Sequence, residues 1–238
     1  MIISSTVKKV IHVPTYHFQQ NLTKMSTARK WSSSAVLDDD TLWITGGHDD
    51  SAFLLTTEFV RADGSSVPGP DLPDEFGRHC VTRVNETHVM LTGGYNIDGA
   101  TVLVDVRDFS MVYGPSMSHH RYQHACGTFQ HEGKPMIIAV GGYEFLAVQT
   151  SEILDLELGR WVRGPSLPSN HGCTHATIVP TPDQKGVILL GCYQDHNPIY
   201  ELKFIDGHFD WQIWDRQLET PRDDTVAMLM PDQFINCT

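Results

Sequence analysis

The amino-acid sequence predicts an all-β propeller, built from repeated blades of four antiparallel strands. Three observations predict this fold class. An apolar run that ends in two glycines recurs along the chain, a Gly-Pro pair closes the repeats, and short β-type runs with polar turns lie between these landmarks. The period is about 48 residues, which suits a four-stranded propeller blade. No segment has a convincing helical period, so we expect almost no helix.

The paired glycines mark one repeated position. They follow the runs LWIT, HVMLT and MIIAV, and a fourth copy, VILLGCY, keeps only the first glycine. A phosphate-binding loop would occur once and lead into a helix, whereas four copies at one period indicate repeated architecture. Glycine at a strand end permits backbone angles that other residues resist, and it lets neighbouring blades approach closely. The signature residues are Gly46, Gly47, Gly93, Gly94, Gly141, Gly142 and Gly191.

Other landmarks keep the same phase. Repeats close in the segments VPGPDLP, VYGPSMS and VRGPSLP, and hairpin tips are predicted at DDD, NET and HEGK. An arginine follows each junction, with His171 in the fourth place, and we expect the tryptophans near repeat ends to pack between blades. These structural residues are Arg29, Arg78, Arg121, Arg222, Trp161 and Trp211.

The landmarks divide the chain into blades. We expect complete repeats at 25–76, 77–120, 121–170 and 171–221. Residues 1–24 are predicted to hold the outer strands of an incomplete blade and a loop, 222–232 an inner closing strand, and 233–238 a tail. The two chain ends would then supply an inner strand and two outer strands of a fifth blade, with no second strand between them.

The diglycine, an acidic residue about ten positions later, the tryptophan and the blade-opening arginine together resemble the kelch repeat over nearly the whole chain. The resemblance implies a ring that is closed by strands from opposite chain ends, usually with six blades. Four full blades and a split, incomplete fifth fall short of that number. We therefore expect a six-bladed ring truncated at the N-terminus, and an intact short propeller is the alternative.

The composition excludes several classes of partner. Apolar residues make up 40% of the 238 residues and charged residues 19%, so a packed core can form. The net charge is −12, which disfavours nucleic acids and anionic membranes because both attract basic surfaces. No stretch approaches the roughly 18 apolar residues of a membrane span. We expect neither nucleic acid nor membrane as a partner.

The kelch resemblance implies a non-enzymatic module that binds a protein or peptide, of the adaptor or scaffold type. The alternatives are a kelch-fold enzyme (a galactose-oxidase-like copper enzyme or a sugar-acid epimerase) and a secreted propeller that binds carbohydrate or glycoprotein. The chain shares only the repeat with such enzymes.

Two histidine clusters could be interpreted as a zinc or copper site. In a chain with 13 histidines, however, the simpler interpretation is that they are loop and strand residues without a metal. We expect no metal and no cofactor. The clusters are His119, His120 and His124, and His171, Cys173 and His175.

Strand direction predicts the binding face. In a four-stranded antiparallel blade, the loop after the second strand and the loop that joins two blades lie at the same rim. These loops carry tyrosine at three matching positions, and exposed tyrosine is favoured in binding hot spots; the alternative is that each tyrosine packs over its own blade. The predicted binding residues are His48, Asp49, Asp50, Tyr95, Asn96, Tyr143, Glu144, Tyr193, Gln194, His119 and His120.

The charge of the ligand is predicted from the residues that follow the start of each blade. Kelch domains that capture acidic peptides line this mouth with arginines. Two residues after its blade openers, this chain instead offers Trp31, Cys80, Gln123, Cys173 and Asp224. We expect a neutral or basic ligand that tolerates aromatic contacts.

The compartment stays open at this level. Five cysteines without a Cys-x-x-Cys pair, and an N-terminus without a signal-peptide pattern, slightly favour the cytoplasm. Cys192 replaces a glycine and is expected to be a buried packing residue rather than a reactive thiol. Three N-x-T sequons, at Asn21, Asn85 and Asn236, favour an extracellular protein if the N-terminus is truncated. Asn21 and Asn85 would then be the glycan acceptors.

Overall fold

The computed structural model describes residues 2–4, 10–11, 25–37, 41–61, 63–169, 171–192, 198–220 and 227–230. These ranges contain β-strands, turns and loops but no helix. Accordingly, they offer no apolar helix of the length needed to cross a membrane. The chain forms two compact units, a central unit (Phe18–Gln123) and a terminal unit (Met1–His17 with His124–Thr238). The first two strands, β1 (Ile2–Ser4) and β2 (Val10–Ile11), belong to the terminal unit.

The central unit contains two four-stranded antiparallel sheets in which the strand order equals the sequence order. The first consists of β3 (Ser33–Val36), β4 (Leu42–Thr45), β5 (Thr57–Val60) and β6 (Ser66–Pro68). The second consists of β7 (Cys80–Arg83), β8 (His88–Thr92), β9 (Thr101–Asp105) and β10 (Met111–Tyr113). The first strands, β3 and β7, lie side by side. A core that includes Trp43, Phe76 and Leu91 packs between the sheets.

The terminal unit repeats this arrangement. One sheet consists of β11 (Ala125–His131), β12 (Lys134–Val140), β13 (Ser151–Asp155) and β14 (Arg160–Arg163). The next consists of β15 (Thr177–Pro180), β16 (Val187–Leu190), β17 (Tyr200–Ile205) and β18 (His208–Ile213). Their first strands, β11 and β15, are again neighbours, and the shared core includes Phe129, Ile138 and Trp211. Each of the four sheets lies within one of the predicted repeats.

The remaining sheet joins strands from both chain ends. Strand β19 (Met228–Met230) pairs in parallel with β1, and β1 pairs antiparallel with β2. In an antiparallel blade the first and third strands run in the same direction, so a parallel pair results when no second strand lies between them. This sheet thus combines one strand from residues 222–232 with two strands from residues 1–24.

The paired glycines allow neighbouring blades to pack closely against each other. Gly46 has a φ of +55°, and a Cβ atom there would collide with the carbonyl oxygen of Phe76. In the terminal unit, Gly141 has a φ of +67°, and its Cβ would collide with the Cys173 carbonyl oxygen. Both the left-handed backbone and the missing side chain are therefore required at this position.

Backbone hydrogen bonds set the phase of the repeats. The second glycine of each pair donates its N–H to the carbonyl oxygen of a residue that lies four residues before the first strand of the next sheet: Gly47 to Phe76 (2.7 Å), Gly94 to Arg121 (2.8 Å) and Gly142 to Cys173 (2.7 Å). Phe76 and Cys173 therefore occupy the position of Arg121. Arg78 and His171 were predicted to be the residues equivalent to Arg121. Each lies two residues away from the equivalent position, because that position is not always occupied by an arginine or a histidine. Arg222 lies outside the described residues.

The same pair of hydrogen bonds recurs at the three Gly-Pro junctions. Gly69 donates its N–H to the Thr57 carbonyl oxygen at 3.0 Å, and the Thr57 hydroxyl donates to the Pro70 carbonyl oxygen at 2.7 Å. Thr101 and Ser151 do the same in the next two sheets. Trp211 donates its indole N–H at 3.2 Å to the carbonyl oxygen of Pro165 in the preceding blade. It thus packs between blades, and Trp161 is likewise buried.

A buried ion pair fixes the entry of the first complete blade. The Glu58 carboxylate accepts hydrogen bonds from the Ser26 backbone N–H (2.7 Å) and hydroxyl (2.8 Å) and from the Ser66 hydroxyl, and it lies 3.8 Å from the Arg29 guanidinium. Burial opposes ionisation of Glu58, but these hydrogen bonds prevail and lower its pKa. Burial also lowers the pKa of Arg29, and Glu58 opposes that change. Arg29 donates to the Gly46 and Thr56 carbonyl oxygens, so the pair ties residues 26–29 to the diglycine.

Candidate functional site

Left-handed residues precede the first strands of the four sheets. Trp31 and Arg78 have φ of +57°, Gln123 +55° and His175 +57°, and each lies two residues before its strand. In the central unit these residues are joined by their backbones. Arg78 donates its N–H to the Trp31 carbonyl oxygen at 2.9 Å, and Gln123 donates to the Arg78 carbonyl oxygen at 2.8 Å. Repeated backbone geometry thus places these three side chains side by side.

The Arg78 guanidinium lies among aromatic rings. Its Cζ is 3.9 Å from the ring centroid of Trp31, 5.8 Å from that of Tyr122 and 6.0 Å from that of Tyr95. The cation thereby meets the negative faces of the rings. Its Nη1 donates to the Gln123 Oε1 at 3.1 Å. We refer to Trp31, Arg78, Tyr95, Tyr122 and Gln123 as the Arg78 cluster.

The Arg78 guanidinium has no acidic partner. It makes no ion pair with any residue that the structure describes, and its buried Nε has no hydrogen-bond acceptor among them. Trp31 and Tyr95 are each 40% exposed, so a ligand can reach the cluster. A buried N–H without an acceptor is unfavourable, so the Arg78 side chain is not fully satisfied by the described protein groups.

Further rings surround the cluster. The ring centroid of Phe53 is 5.3 Å from that of Tyr95 and 4.9 Å from that of His48, and the His48 ring is 5.6 Å from Trp31. A Cβ at Gly77 would collide with the Phe53 ring, so the absence of a side chain at Gly77 makes room for Phe53. The aromatic surface is continuous from His48 to Tyr122.

The predicted binding residues of the central unit lie at different distances from the Arg78 cluster. His48, Tyr95 and His120 lie at or beside the cluster; the His120 ring is 6.4 Å from Tyr122, and its Nε2 is 3.1 Å from the Gly94 carbonyl oxygen. Asn96 is exposed in the turn after Tyr95, and His119 is half-buried.

The two aspartates mainly build their own loop. The Ser51 side chain, together with the backbone N–H groups of Ala52 and Ser51, donates to Asp49 and lowers its pKa to about 2. Asp50 pairs with Lys30, whose hydrogen bond and charge lower the Asp50 pKa. Asp49 is therefore engaged within the loop that presents His48, and Asp50 is engaged with Lys30 outside that loop.

The remaining predicted residues lie elsewhere. Tyr143 and Glu144 belong to the terminal unit, where the Tyr143 ring is 6.2 Å from that of His175. Tyr193 and Gln194 lie outside the described residues, as do Arg222 and the sequon residue Asn21. Asn85 is exposed between β7 and β8, as predicted for a hairpin tip.

Sequence reasoning missed part of the site. Phe53 and Tyr122 were not among the predicted binding residues, and Arg78 was assigned a purely structural role. Because the phase was wrong by two residues, Cys80 and Cys173 were placed where Arg78 and His175 stand. An arginine does line the mouth, so the argument for a neutral or basic ligand does not hold. The spacing of Trp31, Arg78 and Gln123 before three strands was the available signal.

The described residues contain no group of three or more His, Cys, Asp or Glu side chains that could hold a metal ion. One member of the second histidine cluster has another role, since Cys173 forms a disulfide with Cys192 across a Cα–Cα distance of 4.7 Å. Cys192 is buried as predicted, but it is a disulfide residue and not a packing thiol. This disulfide also removes the support that the cysteines gave to a reducing compartment.

Comparison with known proteins supports the fold. No family model matches the chain, and no curated protein sequence matches it. The solved structure of YjhT, a β-propeller protein, is similar with a TM-score of 0.65 over 85% of this chain and 69% of that chain. The fold is an all-β propeller of four-stranded blades. The sequence identity to YjhT is 13%, so the likeness concerns the fold alone, and the function has to be argued from the site.

Proposed function

We propose that this propeller is of the kelch type and that it binds a protein or peptide, without catalysis, through the Arg78 cluster. The kelch assignment rests on the diglycine signature and its period. The observation that carries the binding role is a half-buried arginine whose guanidinium lies 3.9 Å over the Trp31 ring, beside the exposed Tyr95, and has no acidic partner among the described residues. Arginine and aromatic residues are the side chains most enriched in binding hot spots.

The chemistry of the cluster selects the ligand. A guanidinium binds a carboxylate through two parallel hydrogen bonds, and stacking on Trp31 holds its plane in place beforehand. Tyr95 and Tyr122 offer flat surface for an apolar or aromatic group next to that carboxylate. The ligand is therefore a peptide with an acidic side chain, or a chain end, beside a large apolar residue.

The groups around Arg78 explain why the proposed role is binding. The groups that contact the guanidinium are three aromatic rings and a carboxamide, which hold a ligand in place but do not serve as a nucleophile or general base at neutral pH. The His48 and His120 rings lie beyond them, next to Trp31 and Tyr122. The net charge of −12 repels an acidic ligand at long range, so affinity comes from the short-range contacts. Raising the ionic strength is consequently expected to speed association.

Selection from a random peptide library tests the proposal. We expect enriched peptides to contain Asp or Glu, or a free carboxyl end, beside an aromatic or aliphatic residue. Synthetic copies should bind Arg78→Ala and Tyr95→Ala about 5- to 150-fold more weakly, equivalent to about 1–3 kcal/mol each.

Exposed residues of the same types are the matched controls. Arg160→Ala and Tyr113→Ala change side chains outside the cluster and should leave binding unchanged. Peptides that bind Arg78→Ala as tightly as the unaltered protein, or that lack any carboxylate, would contradict the assignment of the site.

A further inference from the structure

Two adjacent apolar side chains project from the terminal unit. Phe145 is 95% exposed and Leu146 is 79% exposed, in the loop between β12 and β13. These are the highest exposures of any large apolar residues that the structure describes. Single exposed apolar residues are ordinary, but an adjacent pair at a loop tip indicates a contact surface. We refer to the pair as the apolar tip.

The apolar tip is held by a tight, hydrogen-bonded loop. Tyr143 and Ala147 form a β-bridge across its base, and Val148 donates its N–H to the Gly142 carbonyl oxygen at 2.9 Å. Cys173, which is fixed by its disulfide, donates its N–H to the Val148 carbonyl oxygen at 3.1 Å. A loop that is ordered beforehand loses little conformational entropy when it binds.

The central unit has a cavity of about 400 Å³. It lies among the hairpin tips at the opposite ends of the strands from the diglycines. Its apolar lining is Leu37, Phe59, Val106 and Phe109, and Arg61 and Arg107 lie at its edge with one acidic residue, Glu86. The Phe59 and Phe109 rings are 5.0 Å apart, and the Trp43 ring is 5.6 Å from Phe109.

Hydrogen bonds hold the cavity open. The Arg83 guanidinium donates to the carbonyl oxygens of Val36 (2.8 Å), Asn85 (3.0 Å) and Glu86 (2.6 Å), which ties β3 to the tip between β7 and β8. At the edge, Arg107 is occupied by Asp105. The Arg61 guanidinium, by contrast, makes no hydrogen bond or ion pair with the described part of the chain.

We propose that the apolar tip of one copy of the chain inserts into the central-unit cavity of a second copy. The cavity falls within the range of volumes that accommodate ligands of a few side chains' size. Four of its nine lining residues are apolar, like Phe145 and Leu146. Glu144, which directly precedes the tip, supplies a carboxylate for the Arg61 guanidinium at the cavity edge. Size, apolarity and charge therefore agree.

The contact joins two different surfaces, so it is heterologous. Each copy offers one tip and one cavity for association with other copies. This self-association goes beyond the peptide binding proposed above, and it uses none of the residues of the Arg78 cluster. Failure of one proposal would leave the other standing.

Sedimentation velocity of the purified full chain over a range of concentrations tests the proposal. We expect the unaltered protein to associate as its concentration rises. Phe145→Ser with Leu146→Ser, and separately Arg61→Glu, should weaken association at least about tenfold. These residues are exposed, so the variants should fold. The controls, Tyr113→Ser and Leu158→Ser, remove exposed apolar surface elsewhere and should associate like the unaltered protein.

A mixing experiment identifies the two surfaces. The tip variant keeps its cavity and the Arg61→Glu variant keeps its tip, so an equimolar mixture should form one-to-one dimers although neither variant associates alone. Combining Glu144→Arg with Arg61→Glu in one chain should restore self-association by reversing both charges. A monomeric unaltered protein at all concentrations, equal loss in the control variants, or a mixture that stays monomeric would overturn the proposal.

Discussion

Lowering the pH from 7 to 5 is expected to remove about 2 kcal/mol from the free energy of unfolding through His79 alone. His79 is buried in the central unit, and its Nε2 lies 2.8 Å from the Thr45 hydroxyl oxygen. Its Nδ1 has no hydrogen-bond partner among the described residues, so a proton there would stay unsatisfied in the core. Burial lowers the pKa of His79 from its usual 6.5 to about 3.

The magnitude follows from proton uptake by the unfolded chain. In the unfolded chain the histidine has a pKa of about 6.5, so at pH 5 its charged form outnumbers the neutral form by about 30 to 1. This proton binding stabilises the unfolded state by about 2 kcal/mol. At pH 7 the same effect is only about 0.2 kcal/mol. The folded chain gains nothing over this range, because its His79 stays neutral until the pH approaches 3. Stability therefore falls as the pH drops below about 6.5.

Urea unfolding at both pH values measures the effect in the unaltered protein and in His79→Gln. Glutamine can keep a hydrogen bond to Thr45, and any loss that is independent of pH cancels when each protein is compared with itself. The stability lost between pH 7 and 5 should be about 2 kcal/mol smaller in His79→Gln. His208→Gln, at an exposed position, is the matched control and should behave like the unaltered protein. A difference below about 0.5 kcal/mol between His79→Gln and the unaltered protein would refute the argument.

The double variant Cys173→Ser with Cys192→Ser removes a disulfide between residues that are 19 apart in sequence. It should reduce the free energy of urea unfolding by about 3 kcal/mol. An unfolding midpoint that does not move would mean that the bond is absent from the purified protein. After expression through a secretory pathway, Asn85 should carry a glycan, because it is exposed at a hairpin tip and starts an N-x-T sequon. Glycosidase should then increase gel mobility in the unaltered protein, with a smaller increase in Asn85→Asp; an identical increase in both would rule out this acceptor.

The fold was largely predictable because its signals are local. An apolar run, a turn and a glycine pair are properties of neighbouring residues, and their period counts the blades. The absence of helix among the described residues and the exposed tip at Asn85 followed from the same signals. The site was predictable only in part. Strand direction predicted that His48 and Tyr95 lie at this candidate site, whereas Phe53 and Tyr122 contact Tyr95 from segments distant in sequence.

The sequence by itself determined that the chain repeats a four-stranded unit and where each unit turns, because the apolar runs, polar turns and glycine pairs that mark the unit are local and recur at one period. Only the tertiary structure decided which residues share a position. Hydrogen bonds from the glycine N–H groups align Phe76 with Arg121, and this alignment brings Arg78 next to Trp31 and Gln123. The pairing of Cys173 with Cys192 was settled in the same way. These outcomes depend on distances between blades, and residue types along one strand do not encode such distances.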